Sequence, residues 1–258
     1  MAIMDVVLLF LAGIVGGVMN SIAGGGSFVT FPALMLTGVP PIMANASNTL
    51  ASTAGYLSGA YAFKEDILKD KANIGKILIL SVIGGAIGAW SLLHVEENTF
   101  LRVIPWLLLF ATTLFLVGSR LNTALQTLTA QYKHASQLGV ILIWLGLLVI
   151  SAYGGFFNAG LGIISLSFLV IAGYQDINTM NGVKLLISCG VSLTAVVIFI
   201  VQGVIDWPAT LIVLLGTLVG GYYAARVSRR LPQIWVSRVV IVISVSVTSY
   251  FFYSAYFL

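Results

Sequence analysis

Charge is scarce in this sequence: Asp, Glu, Lys and Arg together make up only 8% of its 258 residues. A water-facing domain carries about 25%, so most of this surface must meet something other than water. With 59% hydrophobic residues, the expected partner is a lipid bilayer. Cysteine is scarcer still. The single Cys189 excludes an internal disulfide, and its apolar surroundings mark it as a small buried hydrophobe. The sequence has no H-E-x-x-H, no G-x-S-x-G, no intramembrane carboxylate pair and no Cys/His metal spacing, which argues against an enzyme. It also lacks a Walker A pattern, so ATP coupling would need another subunit. No metal or other cofactor is expected. The formal net charge of +4 is no nucleic-acid footprint, because the basic residues lie in short loops rather than on one face. No Lys or Arg precedes the first apolar run, and that run is too long for a signal-peptide core; it reads as a retained span.

Ten apolar stretches follow one another, at approximately 5–22, 26–38, 42–63, 73–94, 99–118, 137–154, 160–173, 178–201, 208–228 and 234–257. A spanning helix needs roughly 20 apolar residues. The second and seventh stretches are shorter, and each follows a glycine-rich break. They read as half-helices or parts of interrupted spans, which membranes tolerate only where the broken backbone is buried or lines a wet cavity. If all ten cross, Lys64, Lys69, Lys71, Arg120, Lys133, Arg229 and Arg230 share one side, with Lys76, Arg226 and Arg238 at helix ends beside them. The positive-inside rule makes that side cytoplasmic and places both termini outside, in an inner (plasma) membrane. Were the two short stretches hairpins that fail to cross, the 64–76 and 226–230 clusters would fall on opposite sides. Trp90, Trp106, Trp144, Trp207 and Trp235 lie mostly near segment ends, as an aromatic belt requires.

The two halves resemble each other. Gly16-Gly17-Val18-Met19-Asn20 matches Gly154-Gly155-Phe156-Phe157-Asn158, and the short segments that follow end at Gly38 and Gly173. Gly84 and Gly88 match Gly216 and Gly220. Phe100-Leu101-Arg102-Val103 matches Val236-Ser237-Arg238-Val239, and the offset stays between 132 and 138 residues throughout. Each half holds five segments, an odd number, so the second half must enter from the opposite side. The expected fold is therefore an all-α polytopic membrane protein of two inverted repeats, 1–125 and 126–258, with short broken helices at segments 2 and 7. Inverted repeats with broken helices recur in secondary transporters.

Gly16 to Ser27, reading GGVMNSIAGGGS, together with Phe31-Pro32 and the shorter second copy, resembles the TauE/SafE sulfite-exporter (TSUP) family. The resemblance covers nearly the whole chain and is strongest over 13–63. It implies a multi-pass transporter of sulfite, organosulfonates or related sulfur anions, hence a small anionic substrate. A homodimer is compatible with this reading. An anion channel using the same broken helices is the alternative, and saturable flux with trans-stimulation would distinguish the carrier.

An anion crossing hydrocarbon needs donors in place of its water, and the N-terminus of a broken helix supplies them. Gly24, Gly25, Gly26 and Ser27 precede the second segment; Gly160 and Gly162 precede the seventh. The alternative role for these glycines is close helix crossing, which fits Gly84/Gly88 and Gly216/Gly220 better because those pairs lack polar neighbours. Asn20 and Asn158 stand just before each break, placed either to contact a ligand or to cap a broken helix end. Asn48 and Thr49 belong to a polar stretch at the start of the third span, and laying the halves over each other sets Thr49 opposite Lys184. Lys184 lies about two turns inside the eighth segment. It either serves an anion or snorkels to the surface. His94 and His134, at a segment end and in a loop, face headgroups or water. Asp5, Asp176 and Asp206 lie at segment margins and leave ion coupling open.

Overall fold

The computed structural model describes residues 1–22, 25–129, 137–227 and 233–257, and every regular element among them is helical. The order is α1 (Ile3–Ile22), α2 (Ser27–Leu36), α3 (Pro41–Ala62), α4 (Lys64–Ile67) with a 3-10 turn (Leu68–Asp70), α5 (Lys71–Leu93), α6 (Glu97–Thr129), α7 (Gln137–Phe156), α8 (Leu161–Ile171), α9 (Ile177–Val201), α10 (Trp207–Val227) and α11 (Gln233–Phe257). Each of the ten expected segments is a helix. Two differences have simple causes. The helix α6 runs on to Thr129, because 119–129 becomes polar without a glycine or proline to stop it. The short α4 was hidden in a charged loop too brief to show periodicity.

Among the described residues, five stretches are long and apolar enough to cross a membrane: Ile3–Asn20, Lys64–Leu93, Gly139–Phe156, Ile177–Val201 and Arg238–Phe257. The helix α3 has 22 residues but is far more polar. Its Asn45, Ser47, Asn48, Thr49, Ser52 and Thr53 are all buried. Polar side chains are costly against lipid, so α3 is enclosed by α1, α2, α9 and α10.

Close backbone contacts define the helix directions. Gly13 lies against Gly216 and Gly17 against Thr217, so α1 and α10 run parallel. Gly84 lies against Ser151 and Gly88 against Ala152 and Phe156, so α5 and α7 run parallel as well. Gly59 meets Leu185 while Gly182 meets Phe63, which makes α3 and α9 antiparallel. Thr112 hydrogen-bonds Thr248 at 3.1 Å and Trp106 reaches Tyr256, which makes α6 and α11 antiparallel. The first helix of each half thus packs on the fourth helix of the other, while third faces third and fifth faces fifth.

The short helices α2 and α8, of 10 and 11 residues, span only about 15–17 Å at 1.5 Å per residue. Each returns from the middle of the bundle to the end where the preceding long helix began. Each pair is thus a hairpin that leaves the sidedness of the remaining segments as ten alternating segments would have it. Lys69 lies 3.5 Å from Asp176, and the Tyr174 hydroxyl donates to Asp70, so the 64–70 and 174–176 loops share one end.

The paired glycines are packing positions. A Cβ at Gly88 would run into the Ala152 carbonyl oxygen and the Phe156 nitrogen, both backbone atoms that cannot swing away. Gly88→Leu is therefore expected to destabilise the protein by at least about 1–3 kcal/mol, the usual cost of overpacking. Thermal unfolding in detergent measures it, and a wild-type melting point would remove Gly88 from the α5–α7 contact.

Candidate functional site

Gly25 adopts φ +94° and Gly160 φ +83°, the left-handed region that a Cβ disfavours. These two glycines turn the chain back on itself at the start of α2 and α8, and they occupy equivalent places in the two halves. At Gly160 a side chain would also press within 2.6 Å of the Ala111 Cβ. Both breaks deliver a helix N-terminus to the flanks of the α3–α9 pair.

At the first break the polar groups satisfy one another. Asn48 on α3 donates from Nδ2 to the Ser27 hydroxyl at 3.0 Å and accepts from the Thr30 hydroxyl at 2.5 Å. The Thr30 oxygen also reaches the Gly26 carbonyl at 3.1 Å. All three side chains are buried. Gly26 is pressed against the Gly16 carbonyl, and Asn20 stands beside it. Gly24 lies outside the described residues. The Thr49 hydroxyl donates to the Asn45 carbonyl of its own helix at 2.8 Å.

A second network joins the two asparagines that precede the breaks. The Tyr56 hydroxyl donates to Asn158 Oδ1 at 2.7 Å, and Asn158 Nδ2 donates to the Ser192 hydroxyl at 2.9 Å. Asn20 lies beside the same Tyr56 hydroxyl. Tyr56 therefore ties α3 to the break between α7 and α8, with the end of α1 next to it. Asn45 adds a bond from Nδ2 to the Phe156 carbonyl at 3.0 Å. The second break is thus held to α3 by side chains rather than by its own backbone alone.

The start of α8 is left open. A Cβ at Gly162 would meet only the Lys184 side-chain Cδ, at 3.6 Å, within 4 Å among the described residues. No carbonyl among the described residues takes the Gly162 N–H. One turn further, Ser165 is fully buried and its hydroxyl, like those of Ser81, Ser151 and Ser167, has no partner among the described residues. Lys184 is half-buried, its ammonium donates to Asn181 Oδ1 at 3.1 Å, and no carboxylate among the described residues pairs with it. A buried hydroxyl without a partner costs about 1–3 kcal/mol, and a cation shielded from water without a counter-ion costs more. Gly162 and Ser165 correspond, at an offset of 135 residues, to Ser27 and Thr30, and Lys184 falls opposite Thr49, the neighbour of Asn48. Ser27 and Thr30 close on Asn48; the Ser165 hydroxyl has no such partner among the described residues.

The structure thus brings Ser27 together with Asn48, Asn20 together with Asn158 through Tyr56, and Gly162 together with Lys184. Thr30, Tyr56, Ser165 and Ser192 escaped the sequence reading. Thr30 and Ser165 were detectable, since both are hydroxyl residues one turn into a half-helix at matching positions. Tyr56 and Ser192 carried no local signal. The aspartates at segment margins serve helix ends: Asp176 accepts from Asn178 N and Thr179 N at the start of α9, and Asp206 accepts from Ala209 N at the start of α10. The bonds from Thr179 hold the Asp176 carboxyl below its ordinary range. His94 donates from Nδ1 to the Trp90 carbonyl at 2.8 Å, at the C-terminal end of α5. His134 lies outside the described residues.

Comparison with known proteins points to a membrane transporter. A probable membrane transporter protein of Haemophilus influenzae is 27% identical over 94% of this chain and 92% of its own length. A probable membrane transporter protein, YfcA, of Escherichia coli is 22% identical over 96% of this chain and 90% of its own. One from Sinorhizobium sp. is 27% identical over 84% and 81%. No solved structure matches significantly. The family model for the sulfite exporter TauE/SafE matches residues 9–251, and the chain belongs to that family of membrane transporters.

Proposed function

We propose that this protein is a secondary transporter of a small sulfur-containing oxyanion of the sulfite or organosulfonate class, held between the N-terminus of α8 and Lys184. The observation that carries this reading is the unclosed trio of Gly162, Ser165 and Lys184. A free N–H at a helix start, a hydroxyl donor and an ammonium are the groups that replace the hydration of a tetrahedral or pyramidal oxyanion. A neutral substrate would leave the cation uncompensated, and a cationic one would be repelled. The Ser27, Thr30 and Asn48 trio at α2, already satisfied internally, serves as the rigid counterpart against which the open side works. Asn20, Asn158, Gly25, Gly26 and Gly160 then position the breaks, with Tyr56 joining the two. The sulfur chemistry rests on the family, and the anion chemistry on the residues.

Transport in this reading proceeds by rocking of two inverted repeats, 1–125 and 126–258, about the α3–α9 and α6–α11 contacts. Exchange of packing partners between the halves is the arrangement such a motion needs. The basic loops support a cytoplasmic 64–71 end in an inner membrane, with both termini outside. Single cysteines at positions 68 and 229 are expected to react with an impermeant thiol reagent only from the cytoplasm, and one at 97 only from outside, in a background where Cys189 is serine. Labelling of 68 and 229 from opposite sides would refute the topology.

Flux of labelled sulfite, methanesulfonate and thiosulfate in proteoliposomes, with and without a pH gradient, tests the function itself. A carrier gives saturable uptake that counter-substrate inside the vesicle accelerates. A conductance that neither saturates nor responds to counter-substrate would make the protein a channel, and no flux of any of the three would remove the sulfur-anion assignment.

A further inference from the structure

A cleft of about 600 Å³ opens between α2, α6 and α11, away from the Lys184 site. Its mouth is marked by Arg102, which is exposed and forms no ion pair with a carboxylate among the described residues. Arg102 lies level with Tyr256, whose hydroxyl donates to the Arg102 carbonyl at 3.2 Å and accepts from Trp106 Nε1 at 2.8 Å. An Arg, a Trp and a Tyr at one level mark a membrane interface. From there the cleft descends along α11 to Ser246 and Val247, a drop of about 13–15 Å at 1.5 Å per residue. Its walls on the way down are chiefly Met35, Leu101, Val247 and Phe251.

A cation at the interface above a long apolar wall is complementary to an anionic amphiphile. We propose that this cleft binds an anionic phospholipid, with its phosphate at Arg102 and one acyl chain between α2 and α11. A free oxyanion has no use for the apolar wall, and a zwitterionic lipid gains less from the unpaired guanidinium. The floor gives the site a consequence. Phe251 stacks on Phe31 of α2 at 6.0 Å, and Phe31 packs edge-on against Phe157 at 5.6 Å, next to Asn158. A chain in the cleft therefore supports the short helix on which the first break depends.

Native mass spectrometry of the full chain in detergent tests the proposal, using phosphatidylglycerol and phosphatidylcholine with identical acyl chains. Wild-type protein is expected to retain the glycerol lipid about fivefold more than the choline lipid, the gain one basic side chain gives toward anionic lipid. Arg102→Gln should bring that ratio to one, while Lys64→Gln at the opposite end leaves it unchanged. Val247→Trp, which fills the deep end, should reduce retention of both lipids, with thermal unfolding confirming that each variant is folded. A wild-type ratio near one, or a ratio that survives Arg102→Gln, overturns the proposal. So does displacement of the glycerol lipid by millimolar methanesulfonate, which would make the cleft a vestibule for small anions.

Discussion

Replacing Lys184 with glutamine is expected to abolish anion uptake while leaving the protein as stable as wild type, or more so. The two effects have opposite signs because the same cation causes both. Lys184 enters α9 half-buried, and its ammonium has the Asn181 amide at 3.1 Å and no carboxylate partner among the described residues. Holding a cation away from water without a counter-ion costs stability, so a neutral side chain of similar length relieves the fold. For the bound anion the account reverses. Removing one partner of a buried charge pair costs about 3–5 kcal/mol, which is a loss of more than about a hundredfold at 1.36 kcal/mol per decade. Lys184→Arg should keep part of the activity, since the charge stays but a planar fork replaces a compact ammonium. Proteoliposome uptake and thermal unfolding on the same preparations read both signs. Wild-type uptake by the glutamine variant would return Lys184 to a snorkelling role, and a large loss of stability would make it a structural residue.

The limits of sequence reading here have physical causes. Hydropathy shows where lipid is, so the ten segments and both short helices were legible to within a few residues except at the polar end of α6. Glycine-rich breaks were legible because left-handed turns and close helix crossings demand that residue, and the structure separates the two uses: Gly25 and Gly160 turn the chain, whereas Gly84 and Gly88 admit a neighbouring backbone. The polar run on α3 was visible as a candidate, but its division of labour was not. Asn48 closes a hydrogen-bond trio with Ser27 and Thr30, and Thr49 bonds its own helix. Such outcomes depend on which side chain meets which across helices, and periodicity along one helix does not encode that. Tyr56 shows this most clearly. It reads as an ordinary aromatic residue, yet its hydroxyl donates to Asn158 in the other half and lies beside Asn20.

The helix-terminus mechanism itself is tested at Gly162, with Gly160 as its control. At Gly160 the backbone is left-handed and a Cβ would crowd Ala111. Gly160→Ala should therefore lower stability by roughly 1–2 kcal/mol, the cost of a left-handed conformation for a residue with a side chain. Gly162 has an ordinary helical position, and an added Cβ meets only the Lys184 stem at van der Waals distance. The protein should accept Gly162→Ala with little change in melting temperature. Yet the methyl would stand beside the free N–H, and the larger branches of Gly162→Val would cover it and displace the ammonium. Losing one hydrogen bond to a charged group costs about 1.5–3 kcal/mol, so Gly162→Val should weaken anion binding by roughly ten- to a hundredfold, with alanine in between. Calorimetry of sulfite binding to the folded protein separates affinity from stability. Gly162→Ser is the sharper variant, because serine stands at the equivalent position 27, where it bonds Asn48. It should engage Lys184 or Ser165 internally and weaken binding although it adds a hydrogen-bond donor. Unchanged affinity across all three Gly162 variants would move the anion away from the start of α8.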